Sequence, residues 1–434
     1  MFRHYLHLAV RSLGKHRGLT ALMVLAIALG IGAAMTTLTV FHVLSGDPVP
    51  GRGDKLFRVY LDPYPLREQD PGDEPVDQLT RLDGETLLRE RKADRQALMT
   101  GGHLAVQPER ADLPPFDTEA RYTSADFFPM FATPFAAGAG WSAGDDDARA
   151  RVAVVARTLA QKVFGTVQVV GRTLRLDGHD FRIVGVMDDW RPVPHVHDLY
   201  MGNFAGQEQV YLPYSTSRDL RMPRNGTMNC WAPLGEGDPT QLVYNCVWNQ
   251  YWVQLDTTAK VADYRRYLQA YAQRQHDAGR FQREPRVALR NVPEYLLHEQ
   301  AVPNDVRLQT WVAFGFLAVC LLNTVGLLLA KCLRRSSEIG IRRALGASKR
   351  QVFLQFLVEA GVVGAAGGVL GLGLALLGLW AVRANADELK DILSLDGAML
   401  AANFALAIGA SLLAGVLPAW RACGVTPALQ LKTQ

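Results

Sequence analysis

The chain has 434 residues, a formal net charge of +4 and 20% charged residues. Its mean hydropathy of +0.01 averages two unlike parts: residues 1–45 and 308–434 are apolar with basic punctuation, and 46–307 read as a water-soluble chain. The basic excess flanks the apolar runs, so it is a membrane-topology signal and gives no support to a nucleic-acid partner.

In chain order, Phe2, Leu6, Ala9 and Leu13 recur at helical spacing beside Arg3, Arg11, Lys15 and Arg17. Residues 1–17 are therefore expected to form an amphipathic helix on the cytoplasmic face. The run 18–45 carries no Asp, Glu, Lys or Arg. About 20 residues suffice to cross the hydrocarbon core, so the run reads as a first transmembrane helix. It exceeds the apolar part of a cleavable leader, which favours an uncleaved anchor with the N-terminus inside.

Residues 46–307 alternate strand and helix patterns, which predicts an α+β domain between the first and second spans. Strands are expected at 55–61, 97–107, 118–122, 151–156 and 286–292, with helices at 78–92 and 261–275. Asp177-Gly178 supplies the turn of a hairpin over 173–186. The segment Ser124-Ala-Asp-Phe-Phe-Pro-Met-Phe131 reads as a short capped helix whose aromatics pack the core. Residues 188–258 are the least regular part and are dense in Trp and Tyr. Of five cysteines, Cys230 and Cys246 lie in this region, where a disulfide is permitted outside the cytoplasm. The other three, Cys320, Cys332 and Cys423, lie in or beside apolar segments, and no zinc-type spacing occurs.

Three further apolar runs, 308–330, 352–382 and 397–420, complete four candidate spans. Between the second and third lies a basic island, 331–351, in which seven Lys or Arg up to Arg350 oppose the single Glu338. Alternating sides from a cytoplasmic N-terminus puts 331–351 and the tail 421–434 inside and the acidic loop 383–396 outside. Gly and Ala crowd the third span, where small residues allow close helix packing, within the chain or between subunits. Glu359 lies in the first turns of that span, and such a carboxylate is usually paired or functional.

No phosphate-binding GxxxxGK[ST] loop, HExxH or GxSxG motif is present. His195-Val-His197-Asp198 is the only compact ligand-like cluster, and no further ligands are identifiable beside it. The chain is therefore read as a non-enzyme, with no catalytic residue and no metal site assigned.

The run Ser-Glu-Ile-Gly-Ile-Arg-Arg-Ala-Leu-Gly-Ala-Ser-Lys-Arg-Gln-Val over 337–352, followed by Gln-Phe-Leu-Val-Glu-Ala over 355–360, resembles a family signature of the form REIGLRKALGA…QFLIEA. The ending Pro-Ala-Trp-Arg-Ala over 418–422 and the block 151–186 resemble further parts of that pattern. Together they resemble the MacB-type, FtsX-like permease subunits of ABC transporters. The resemblance implies a periplasmic domain with a porter-like part and an inserted sabre-like part, here at about 140–255. It also implies a bacterial inner-membrane protein with both termini cytoplasmic, working beside a second permease chain and, in some systems, a periplasmic adaptor and an outer-membrane channel. ATP and Mg would be bound by a separate cytoplasmic ATPase, with no cofactor in this chain. That partner would dock on Glu338, Ile339, Ile341, Arg342, Arg343, Ala344, Leu345 and Gly346. Ile339, Ile341 and Leu345 are expected to form one apolar side of the docking helix, with Gly346 turning the chain into the third span. The implied function is ATP-driven export of a periplasmic substrate. The alternatives are an FtsX-like transmitter that regulates a periplasmic enzyme or partner, and lipoprotein-release-type translocation.

Overall fold

The computed structural model describes residues 17–66, 74–110, 112–231, 237–302, 304–385 and 397–423. The side chains of Ser336, Ser337, Arg342, Ala398, Ala422 and Cys423 lie outside that set. So do nearly all of the expected helix at 1–17, most of the loop 383–396, and residues 424–434 of the tail.

The elements run α1 (Arg17–Leu44), β1 (Leu56–Leu61), β2 (Gln78–Thr80), α2 (Arg81–Glu90), β3 (Arg95–Gln107), β4 (Phe116–Thr123) and α3 (Phe127–Met130). Next come β5 (Phe135–Gly138), α4 (Ala143–Asp147), β6 (Val152–Ala156), α5 (Arg157–Phe164), β7 (Thr173–Leu176) and β8 (His179–Met187). They continue with β9 (Val210–Pro213), α6 (Tyr214–Asp219), β10 (Asn229–Cys230), β11 (Cys246–Gln254), α7 (Thr258–Asp277), β12 (Val287–Asn291) and α8 (Val292–His298). The chain closes with α9 (Asn304–Arg334), α10 (Ser336–Ala344), α11 (Lys349–Asn385) and α12 (Gly397–Cys423). The chain divides into two units, one built from its two ends and the other from Gly46–Ala301.

In the first unit α1, α9, α11 and α12 are each long and apolar enough to cross a membrane. Met23, Ile27, Ile31, Ala34 and Met35 form the buried stripe of α1, while Leu22, Leu25 and Leu29 on other faces are exposed. That division is what a membrane helix packed on one side requires, since lipid accepts the apolar remainder. Several glycines of the third span serve contacts within the chain. A methyl at Gly371 would meet Ile31 of α1, and one at Gly364 would meet the Ser411 side chain of α12.

The second unit is organised by one mixed sheet in the order β12-β1-β11-β3-β4-β9-β6-β8-β5. β2 and β10 add to β11, and β7 pairs with β3 and β8. β6, α5 and β8 form a parallel crossover, and β7 and β8 are the predicted hairpin, with Asp177 and Gly178 at φ 45° and 80°. Both faces of the sheet are covered. On β1, Phe57, Val59 and Leu61 enter one core, while Leu56 and Tyr60 enter the other. The first core receives Tyr264, Leu268 and Tyr271 from α7. The second holds Phe127, Phe128 and Phe131 of the aromatic segment, with Trp141, Tyr211 and Trp252.

One expectation needs correction here. Residues 188–258 are not irregular throughout: β11 is a buried central strand that pairs with β1 and β3. Its sequence, Cys-Val-Trp-Asn-Gln-Tyr-Trp-Val-Gln, lacks apolar–polar alternation because both faces are covered. The stretch 140–255, expected as an inserted part, contributes β6 to β11 to this same sheet. Cys230 and Cys246 stand directly opposite in the β10–β11 pairing and form a disulfide.

Candidate coupling site

The basic island resolves into α10 and the two helix ends beside it. α9 runs on past the apolar stretch to Arg334, so Lys331 belongs to the helix and not to a loop. α10 follows at once and ends at Gly346, whose φ of 100° is the left-handed conformation that glycine accepts at a helix end. Ser348 and Gln351 then exchange side-chain and backbone hydrogen bonds (Ser348 N–H to Gln351 Oε1, 2.9 Å; Gln351 N–H to Ser348 Oγ, 3.3 Å). This capping pair starts α11.

The expected single apolar side of α10 is split. Ile339 is 6% exposed and packs with Cys332, Val352, Phe356 and Ala419. Ile341 is 59% and Leu345 82% exposed. The reason is helical geometry. Two residues turn the helix by about 200°, so Ile341 points away from Ile339, whereas positions four apart share a face. Ala344 is exposed and Arg343 is half-buried. The side chain of Arg342 lies outside the described set.

Beneath α10 runs a chain of ion pairs. Lys331 of α9, 2% exposed at its side chain, binds the carboxylate of Glu359 in α11, 1% exposed. Arg335 reaches the other oxygen of Glu359 at 3.8 Å. It also grips Glu338 of α10 with two bonds, Nε to Oε2 at 3.1 Å and Nη2 to Oε1 at 3.2 Å. The bidentate geometry holds the first turn of α10 to the end of α9. Glu359 is thus a buried ion-pair member. Lys331 lies inside the helix bundle beside it. No local pattern announces a partner so far away in the chain.

A second buried charge cluster lies in the domain of Gly46–Ala301. Arg121 of β4 donates to Asp198 at 2.6 Å and to Glu208 Oε1 at 2.6 and 3.0 Å. His195 and His197 place Nε2 at 3.2 and 3.0 Å from that same Glu208 oxygen, and the Tyr211 hydroxyl donates to Oε2 at 3.0 Å. Gln250 of β11 donates to Asp198 at 3.1 Å. Arg58 of β1 pairs with Asp77, which also accepts from Tyr200 at 2.6 Å. Two arginines on the sheet therefore pin the segment 195–208, which has little regular structure of its own. Burial alone would raise the Glu208 carboxyl, yet Arg121 and the two imidazoles hold it well below the ordinary value. Burial pushes His197 down to about 4, with His195 pushing the same way.

His195, His197 and Glu208 have the donor types of a metal site. The surroundings do not fit one. The guanidinium of Arg121 already occupies the Glu208 oxygen that a cation would share. Both Nδ1 atoms are buried without a partner, so the outer hydrogen bonds that orient metal-ligating imidazoles are missing.

The fold and the charge chain define a membrane protein with four spans and one large periplasmic domain. A family profile described as MacB-like periplasmic core domain matches residues 20–271, and one described as FtsX-like permease C-terminal matches 311–427. The chain belongs to the MacB/FtsX family of ABC permeases. It is 26% identical over 445 residues to the macrolide export ATP-binding/permease protein MacB of Marinobacter nauticus, covering 98% of this chain and 60% of that one. It is 26% identical over 310 residues to the pyoverdine export ATP-binding/permease protein PvdT of Pseudomonas syringae pv. tomato, covering 71% and 42%. The chain thus spans less than two thirds of the length of these curated relatives. Among solved structures, the periplasmic region of MacB from Actinobacillus actinomycetemcomitans aligns over 60% of this chain and 98% of that one, at 14% identity and a TM-score of 0.36.

Proposed function

We propose that this chain is the permease subunit of an ABC system that carries ATP-driven motion from a separate cytoplasmic ATPase to its periplasmic domain, in the service of export. ATP and Mg are bound by the ATPase, and a second permease chain completes the membrane part. The protein sits in a bacterial inner membrane with both termini in the cytoplasm, a reading supported by the basic clusters beside the spans.

The observation that carries the reading is the linkage Glu338–Arg335–Glu359–Lys331. It ties α10 to both α9 and α11, while Ile341 and Leu345 remain exposed beyond it. A push on the exposed face of α10 is passed to two spans through charge pairs that cannot be abandoned cheaply in an apolar setting. The relatives are named for export of macrolides and of pyoverdine, which supports export here without naming a substrate.

The test is the double variant Arg342→Glu/Arg343→Glu, purified with the ATPase. Loss of co-purification and a fall in ATP turnover are expected. Unchanged association and turnover would remove α10 as the docking element.

A further inference from the structure

The periplasmic domain contains a cleft of about 920 Å³ between α2, the start of β3, α4 and α6. Its wall is rich in both signs of charge, but the carboxylates are already engaged. Glu85 pairs with Arg81 at 2.6 Å, Asp147 with Arg91 at 3.6 Å and Asp219 with Arg149 at 2.8 Å. Asp94 binds Lys260, Asp126 accepts the Gln96 N–H at 3.1 Å, and Asp146 accepts from Ala125 N–H at 2.7 Å and Trp141 Nε1 at 2.8 Å.

Arg218 on the same wall has no carboxylate among the described residues. Its guanidinium is nevertheless built into place. Nη2 donates to the Met222 carbonyl at 3.0 Å and Nε to Ser217 Oγ at 3.4 Å. The group lies 5.7 Å from the Tyr122 ring and 5.4 Å from the Trp248 ring. Nη1 has no partner among the described residues. Arg224 lies 5.3 Å from the same Trp248 ring, also without a carboxylate, and its buried Nε has no acceptor. Arg221 is exposed on the cleft wall, one turn beyond Arg218. Asp238 acts on both Arg218 and Arg221, but its carboxylate is held by Thr240 N–H at 2.9 Å and Thr240 Oγ1 at 2.8 Å. Burial works against the charge of both Arg218 and Arg224, and each further arginine nearby adds to that cost.

Arg218 is thus a half-buried guanidinium on the cleft wall with no ion-pair partner among the described residues and Nη1 unused, an arrangement that an incoming anion relieves. We propose that this cleft binds an oxyanion, a carboxylate or phosphate group, through Arg218 with Arg221 at its edge. Fixed by Met222, Ser217 and two rings, Arg218 presents its fork with little rotamer entropy left to lose.

The experiment uses the full chain in lipid nanodiscs, where fluorescence of Trp248, whose ring lies 5.4 Å from the Arg218 guanidinium, reports on that group. Inorganic phosphate and citrate are titrated separately at constant ionic strength, with chloride as the control. A saturable response to one or both is expected, and the two arms decide between phosphate and carboxylate chemistry. Arg218→Gln is expected to weaken it about tenfold or more, as loss of a charged hydrogen-bond donor does. Arg218→Lys, which keeps the charge and loses the fork, should fall in between, and Arg265→Gln on the exposed face of α7 should match the native chain. Thermal midpoints without anion identify a variant that has lost its fold, and Arg221→Gln then supplies the comparison with an expected weakening of its own. No saturable response to either anion, or equal affinity in native, Arg218→Lys and Arg221→Gln chains, overturns the proposal.

Discussion

Lys331 and Glu359 stand 28 residues apart in the chain and form an ion pair with almost no exposure to solvent. The pair joins the end of α9 to α11, and Arg335 extends it to α10. Lys331→Met is expected to cost about 3–5 kcal/mol, because a buried carboxylate then loses its closest cation while Arg335 stays at 3.8 Å. Lys331→Met combined with Glu359→Leu should cost much less than the sum of the single changes. Thermal or denaturant unfolding in detergent, arranged as a double-mutant cycle, reads the coupling.

The two faces of α10 should separate docking from stability. Leu345→Asp and Ile341→Asp lie on the exposed side and should lower ATPase association while leaving the thermal midpoint nearly unchanged. Ile339→Asp buries a charge among Cys332, Val352 and Phe356 and should lower the midpoint itself. Equal midpoints for all three variants would contradict this division.

Glycine contacts in the third span give a paired comparison. Gly364→Leu meets the Ser411 side chain and should destabilise the helix bundle by about 1–3 kcal/mol. A Cβ at Gly373 meets nothing within 4 Å, so Gly373→Leu should be tolerated far better. Unfolding of the two purified variants side by side measures the difference.

Acid should weaken the periplasmic clamp. His197 titrates near 4 when folded and near 6.5 when unfolded. Its stabilising effect is full above about 6.5 and is lost as pH falls toward 4, on the order of 3 kcal/mol in all. Glu208, held below its ordinary value by Arg121 and the imidazoles after burial is overcome, adds a further loss below about 4.5. Asp146 opposes this, since burial raises it to about 6 and its contribution is largest at low pH. His197→Asn isolates the effect: its midpoint should fall less than the native one between pH 7 and 4.

The Cys230–Cys246 bridge closes a loop with a sequence separation of 16. Cys230→Ser is expected to cost about 3 kcal/mol, chiefly by enlarging the unfolded ensemble. Denaturant curves with and without reductant should converge on the variant's value.

The four spans were legible because a bilayer demands about 20 apolar residues in a row, a local property that needs no partner to be seen. The turn at Asp177-Gly178, the stripe Tyr264–Leu268–Tyr271 and the helix end at Gly346 were legible for the same kind of reason: each rests on a backbone rule acting over a few residues. β11 was obscured because a strand covered on both faces loses the alternation that marks one covered on a single face. The split of Ile339 from Ile341 follows from helix periodicity alone, but which of the two is buried depended on where α9, α11 and α12 pack.

The charge clusters belonged wholly to the tertiary structure. Lys331 with Glu359, Arg121 with Asp198 and Glu208, and Arg218 beside Trp248 are each defined by groups distant in the chain. A local pattern records how a segment folds on itself. The cost of burying a charge is set by what surrounds it, and only the packed chain supplies or withholds the counter-charge.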